Sequence, residues 1–157
     1  MRVPADGWFR IDVPVRFRDL DAMGHAHHTL PLIYLEEARA AFWRMLKGDA
    51  SVAAIDYVMA EITLQFHARI RFPSVVTVRL AVSRVGTKSF GTDFDVLGAD
   101  GERLASGSAV QVAYDYAEER SKRIDAADRA VLDEWCTAAQ KSIARPAETA
   151  PISPPST

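Results

Sequence analysis

The chain has 157 residues, 48% hydrophobic and 25% charged, with 19 Lys and Arg against 21 Asp and Glu and a formal net charge of −2. That length suits one domain with one substantial core, and so even a charge balance gives no reason to expect a nucleic-acid partner. A single cysteine excludes an intrachain disulfide, no apolar run is long enough to span a bilayer, and the opening MRVPADGWFR lacks a signal-peptide core, so a reducing cytoplasm is the expected setting.

From Phe9 to Phe17 apolar residues occupy the odd positions, the period of a half-buried strand. Pro14 has no donor to give a ladder, which places this strand at an edge. An acidic, histidine-rich loop follows. Thr29, with a hydroxyl suited to capping, and Pro31, tolerated in a first turn, then predict a helix over Leu30 to Lys47 that stops at Gly48. Its residues are apolar on most faces, leaving a narrow stripe through Glu36, Glu37, Arg44 and Lys47, so this helix is expected to be buried. Tyr34, Phe42 and Trp43 are read as core.

Beyond it the period becomes two. Strands are expected over Ile62 to Phe66, Val76 to Val82, Phe90 to Leu97 and Arg103 to Tyr116, with Asp100-Gly101 as a hairpin turn, and their succession predicts a four-stranded antiparallel meander. Asp125 to Ala139 carries apolar residues at helical spacing. Residues 1–139 are thus expected to form one α+β domain, an antiparallel sheet curved around one long helix. The proline-rich stretch 140–157 is expected to be a disordered tail. A strand-helix-strands order leaves sheet edges, which a second copy of the chain can pair, so a homo-oligomer, dimer or tetramer, is expected.

The segment RFRDLDAMGHAHH, residues 16–28, concentrates chemistry. Asp19 and Asp21, two positions apart, point to opposite sides of an extended chain, so only one faces inward. A helix N-terminus follows directly, and its backbone N–H groups suit the polarisation of a carbonyl oxygen. His25, His27 and His28 are too crowded in one loop to form a convincing metal site, and only His67 lies elsewhere, so no metal is assigned. His28, at the start of the helix, is best placed to orient water or protonate a leaving group.

The run Arg18-Asp19-Leu20-Asp21-Ala22-Met23-Gly24-His25, continued by Tyr34-Leu35-Glu36-Glu37-Ala38-Arg39, resembles the hot-dog-fold acyl-CoA thioesterases of the 4-hydroxybenzoyl-CoA thioesterase type. Lys88-Ser89-Phe90, and Ala105-Ser106-Gly107 through Tyr114-Asp115, extend the resemblance to about residues 9–135. It implies Asp21 as the catalytic carboxylate, with Asp19, Gly24 and His25 as the supporting loop, and the backbone N–H of His28 as the donor to the thioester carbonyl. It also implies Lys88 and Ser89 as coenzyme A contacts. Many members carry two asparagines where this chain has His27 and His28. A subgroup of bacterial short-chain acyl-CoA thioesterases is similar in having histidine at the position of His28, proposed there as catalytic.

The resemblance thus implies hydrolysis of an acyl-CoA to a carboxylic acid and free coenzyme A, with no cofactor, no nucleic acid and no membrane as partner. Two alternatives stand beside it: a hydratase or dehydratase on the same fold, and a non-catalytic acyl-thioester-binding protein.

Overall fold

The computed structural model describes residues 2–49, 51 and 54–144. The chain folds as β1 (Trp8–Pro14), α1 (Leu30–Lys47), β2 (Tyr57–Phe66), β3 (Val75–Val85), β4 (Ser89–Leu97), β5 (Arg103–Asp115), a short β6 (Arg120–Ser121) and α2 (Ala126–Ala144). One antiparallel sheet runs in the order β1-β3-β4-β5-β2, with β6 pairing the end of β5. This is the expected α+β hot-dog arrangement. Even-numbered residues of β3 and β4, among them Val78, Leu80, Val82, Phe94 and Val96, face Tyr34, Leu35, Ala38 and Phe42 of α1 in a closed core. Each large apolar side chain so enclosed contributes roughly 1.5–3 kcal/mol.

The expected four-stranded meander is corrected to three strands, β3-β4-β5. β2 pairs with β5 instead, in a register from Tyr57↔Ala113 to Phe66↔Ala105. The reason is the connection over residues 67–74: it is no tight turn, and it buries Ile70 against the core while crossing to β3 at the other end of the sheet. β2 and β1 are therefore the two edges, and Pro14 sits where an edge strand tolerates it, opposite Val75. The inner face of β2 is left partly open, with Phe66 57% exposed.

Gly107 explains how closely β2 and β5 lie. A Cβ built there falls 2.0 Å from the Thr63 carbonyl oxygen and 2.8 Å from Phe94 Cζ, so only glycine fits. The first strand stops sooner than the alternation suggested, because Phe17 opens a 3₁₀ turn over Phe17–Asp19 and its side chain is exposed.

α1 has the expected bounds and ends at Gly48 in a left-handed conformation. Its start differs: Thr29 makes no side-chain cap, because its hydroxyl lies 2.9 Å from His27 Nδ1. The last turn of α1 is pinned by charge. Lys47 Nζ meets Asp128, Asp56 at 3.2 Å and Asp125 at 3.8 Å, while Lys122 also reaches Asp56 and Asp125.

α2 packs Trp135 edge-on against Phe9 and Phe42, at 6.2 and 5.2 Å between ring centroids. It runs to Ala144, so residues 140–144 are helical rather than part of a tail, and the remainder of that expected tail, 145–157, lies outside the described residues. Among the described residues no helix is long and apolar enough to cross a membrane.

Candidate active site

Residues 20–26 form a tight loop closed by the bridge Leu20↔Ala26 and by two backbone bonds, Asp21 N–H to the His25 carbonyl (3.0 Å) and Gly24 N–H to the Asp21 carbonyl (3.1 Å). Gly24 takes φ +76°, a left-handed conformation that a side chain resists, which is why glycine stands at this bend. Two further bonds fix the loop to its surroundings: Ala26 N–H donates to the Ile70 carbonyl (2.8 Å) and His27 N–H to the Asp19 carbonyl (2.9 Å).

The two aspartates divide as their spacing implied, although on a 3₁₀ turn rather than an extended strand. Asp19 is buried, 3% exposed. Its carboxylate accepts hydrogen bonds from the Arg16 N–H (2.9 Å), the Arg16 Nε–H (3.2 Å) and the Tyr34 hydroxyl (2.8 Å). Burial pushes this carboxyl up, but the Arg16 N–H, the Tyr34 hydroxyl and the Arg16 guanidinium together outweigh it and hold Asp19 below the usual carboxylate range. The same contact and its own burial raise the Tyr34 hydroxyl. Asp19 is thus a strut between the loop and α1.

Asp21 is half-buried, and Oδ1 accepts the Met23 N–H at 2.8 Å. It lines a cleft of about 340 Å³ together with Met23, His25, Ala26, His27, His28, Pro31, Phe66, His67, Ala68, Arg69, Ile70 and Leu104. All four histidines of the chain therefore gather at one cleft, in which Asp21 is the carboxylate. The His27 and His28 rings lie 4.0 Å apart, centroid to centroid. The floor comes from Ala26, Ile70 and Leu104, all buried.

Backbone donors at the start of α1 can be accounted for one by one. Ala26, His27, Thr29, Leu30, Leu32 and Ile33 each donate to an acceptor, respectively the Ile70, Asp19, His27 Nδ1, His27, Thr29 and Thr29 positions, and Pro31 has no N–H. The His28 N–H alone in this stretch has no acceptor among the described residues. A free amide beside a carboxylate, in a cleft with an apolar floor, can stabilise negative charge on a carbonyl oxygen while the carboxylate acts on the carbonyl carbon or on water.

The structure brings Asp21, His25 and His28 to the cleft, sets Gly24 in the loop beside it and Asp19 behind it. Lys88 and Ser89 are elsewhere. Ser89 pairs with Val112, whereas the cleft reaches β5 at Leu104, so they stand roughly 25 Å away at about 3.3 Å per residue. Lys88 there contacts the Ser121 hydroxyl at 3.4 Å.

Reading from the sequence missed the contribution of Phe66, His67, Ile70 and Leu104, which enter from the end of β2, the β2–β3 connection and the start of β5. His67 was the one signal available, as the only histidine outside the loop. Its Nε2 lies 2.7 Å from the Ser106 hydroxyl.

Among the described residues, the group with ligand atoms close enough for one metal ion is Asp56, Asp125 and Asp128, far from this loop in sequence. Lys47 and Lys122 occupy its contacts as ion-pair partners, so the cluster is a salt-bridge network.

The model of the thioesterase-like superfamily matches residues 15–148 of the chain. Among solved structures, an inferred thioesterase from Pseudomonas aeruginosa is 30% identical, with a TM-score of 0.72 covering 78% of this chain and 96% of that one. A thioesterase from Thermus thermophilus complexed with coenzyme A and Zn is 28% identical, with a TM-score of 0.71 over 78% of this chain and 95% of that one. A Staphylococcus aureus protein in complex with CoA, 16% identical, is similar in fold, with a TM-score of 0.77 over 94% and 96% of the two chains. No curated protein matches the chain.

Proposed function

Since the chain belongs to the thioesterase-like superfamily, we propose that it hydrolyses an acyl-CoA to a carboxylic acid and free coenzyme A, with Asp21 and His28 at the reacting atoms. The observation that carries this reading is one juxtaposition: Asp21 and His28 line the same cleft, and the His28 N–H is the amide between Ala26 and Ile33 without an acceptor among the described residues.

In this reading the thioester carbonyl oxygen takes the hydrogen bond that the His28 N–H does not make among the described residues. One such donor is worth about 3 kcal/mol to a developing oxyanion. Asp21 either removes a proton from the attacking water or attacks the carbonyl carbon itself, giving a mixed anhydride that water then opens. The C–S bond breaks, the electron pair leaves on sulfur, and the His28 ring is the auxiliary acid that supplies its proton. The residues assigned to the reaction are thus the Asp21 carboxylate, the His28 ring and the His28 N–H, with water as co-substrate.

Asp19, Gly24 and His25 support the loop. Lys88 and Ser89 take the phosphorylated end of the ligand, away from the thioester. The open inner face of β2, with Phe66 exposed, and the edges at β1 and β2 support assembly with further copies of the chain, as a dimer or tetramer.

The test is thiol release, read with a thiol-reactive dye, from a panel of acyl-CoAs. Asp21→Ala lowers kcat by about a hundredfold or more, the scale of a positioned base. His28→Ala retains the backbone donor and loses less. Full turnover by Asp21→Ala overturns the role of Asp21. An unchanged thioester with altered ultraviolet absorbance makes the protein a hydratase instead.

A further inference from the structure

We propose that the core beneath α1 holds one resident water molecule, bound between Arg39 of α1 and Gln111 of β5, with Thr92 of β4 as its third partner. The site shares no lining residue with the Asp21 cleft. The inference is therefore independent of the hydrolase reading and of how further copies of the chain complete that cleft.

Two polar side chains occupy positions where the sheet otherwise presents apolar ones to the helix. Thr92 and Gln111 are each 1% exposed, among inner-face neighbours Phe90, Phe94, Ala109 and Ala113. Buried polar atoms are hydrogen-bonded almost without exception. Gln111 Nε2 donates to Thr92 Oγ1 at 3.1 Å, which accounts for half of the amide. The other half, Gln111 Oε1, is buried with no hydrogen-bond partner among the described residues, and so is Arg39 Nε.

Arg39 and Gln111 border one space of about 10 Å³, at the lower end of the roughly 10–15 Å³ that one water needs. Its walls include the stacked rings of Trp43 and Phe90, 5.5 Å between centroids. Trp43 offers no donor there, because its indole N–H is committed to the Ala54 carbonyl (2.9 Å) and to Asp56 Oδ1 (3.1 Å). The Arg39 guanidinium lies over the Tyr57 ring, 5.3 Å from its centroid, a contact that steadies the arginine beside the space.

The two unpartnered atoms are opposite in kind, and that decides the ligand. Arg39 Nε–H is a donor in need of an acceptor, whereas Gln111 Oε1 is an acceptor in need of a donor. An anion satisfies the first and is repelled by the second, and a cation does the reverse. Water serves both. It accepts from Arg39, donates to Gln111, and keeps a lone pair for the Thr92 hydroxyl hydrogen, which the bond from Gln111 does not use. Three bonds are the usual complement of a buried water. The water so placed joins α1 to β4 and β5 through a layer packed by apolar contact.

Crystals of the full chain, grown with and without sodium bromide, test this directly. One ordered water is expected within about 2.7–3.2 Å of both Arg39 Nε and Gln111 Oε1. It is unchanged by bromide and absent from Gln111→Met, whose apolar side chain is of similar length. In solution, the wild-type Arg39 Nε–H is expected to show laboratory-frame and rotating-frame Overhauser effects of opposite sign to the water resonance, the mark of a water held longer than the molecule tumbles, and Gln111→Met loses them. The wild-type measurements decide the matter even if that variant does not fold. An empty site, a direct bond from Arg39 Nε to Gln111 Oε1, bromide in place of water, or a water retained in folded Gln111→Met overturns the proposal.

Discussion

Replacing Tyr34 with phenylalanine removes one hydrogen bond, 2.8 Å long, between α1 and the loop that carries Asp21. The site is fully enclosed on the tyrosine side and 3% exposed on the aspartate side, so water cannot substitute freely for the lost hydroxyl. A hydrogen bond to a charged partner contributes about 1.5–3 kcal/mol. Asp19 keeps the Arg16 N–H at 2.9 Å and Nε–H at 3.2 Å, so the lower half of that range applies, about 2 kcal/mol. For a chain of this size that lowers Tm by roughly 4–8 °C.

The pH dependence gives the prediction its sharper edge. Asp19 is held below its unfolded value, so its bonds contribute in full above about pH 4 and are lost as the pH falls through the lowered folded value. The deficit of Tyr34→Phe is therefore largest at neutral pH and shrinks toward pH 3. Urea unfolding at fixed protomer concentration, at both pH values, measures it. A variant within about 0.5 kcal/mol of wild type at pH 7, the usual scatter of inconsequential surface changes, or a deficit that grows in acid, would refute the account of Asp19 as a strut.

Three further outcomes are expected. Lys47→Met leaves Asp128, whose side chain is 10% exposed, without its Lys47 partner, while Asp56 keeps Lys122; the cost is about 2–3 kcal/mol, below that of a fully buried pair. Burial pulls Lys47 down but Asp128 and Asp56 more than compensate, so its pKa is raised; its stabilisation is present below the ordinary lysine value and lost as pH rises through the folded one. Wild type then loses more stability than Lys47→Met as the pH rises above about 10, the ordinary lysine value, which thermal melts across an alkaline series would show. Gly107→Ala drives a Cβ into the Thr63 carbonyl and Phe94, and at least about 3 kcal/mol is lost, with faster amide exchange in β2 before other strands. Gly24→Ala meets no atom within 4 Å, so only the left-handed backbone is penalised, about 1 kcal/mol by denaturant unfolding.

Local patterns were legible in proportion to how local their causes were. α1 could be bounded to the residue because its apolar coverage, its proline and Gly48 all lie within it. The strands were legible from alternation, but their partners were not: the pairing of β2 with β5 depends on residues 67–74 crossing the sheet, and nothing in the alternation of Ile62, Leu64 and Phe66 says which neighbour they meet. The capping role expected of Thr29 failed for a similar reason, since a histidine two positions earlier competes for the hydroxyl. The loop half of the cleft was visible because its residues are contiguous. The other half, Phe66 to Ile70 and Leu104, comes together through the β2–β5 register at Phe66↔Ala105 and the Leu104 carbonyl, and is joined to the loop by the Ile70 carbonyl, none of which periodicity announces.

The spacing Asp-x-Asp-x-x-Gly acquires a physical meaning from these contacts. Asp19 must be ionised and enclosed to tie Arg16 and Tyr34 together, and three hydrogen bonds keep it so. A carboxylate with its acceptor sites occupied in that way is a poor base, because every bond to it stabilises the ionised form and weakens its affinity for a proton. The residue two positions on is turned to the cleft and holds a single backbone donor, Met23 N–H, on one oxygen. Gly24 then bends the chain so that His25 closes the loop on Asp21, and Ala26 and His27 anchor it to Ile70 and Asp19. The anchor to Asp19 consumes the His27 amide and the His27 ring nitrogen takes that of Thr29, so the His28 N–H between them has no acceptor among the described residues. The strut, the bend and the vacant donor are therefore one arrangement, and loss of the Tyr34–Asp19 bond is expected to reach the cleft as a lower kcat even where Asp21 and His28 themselves are unchanged.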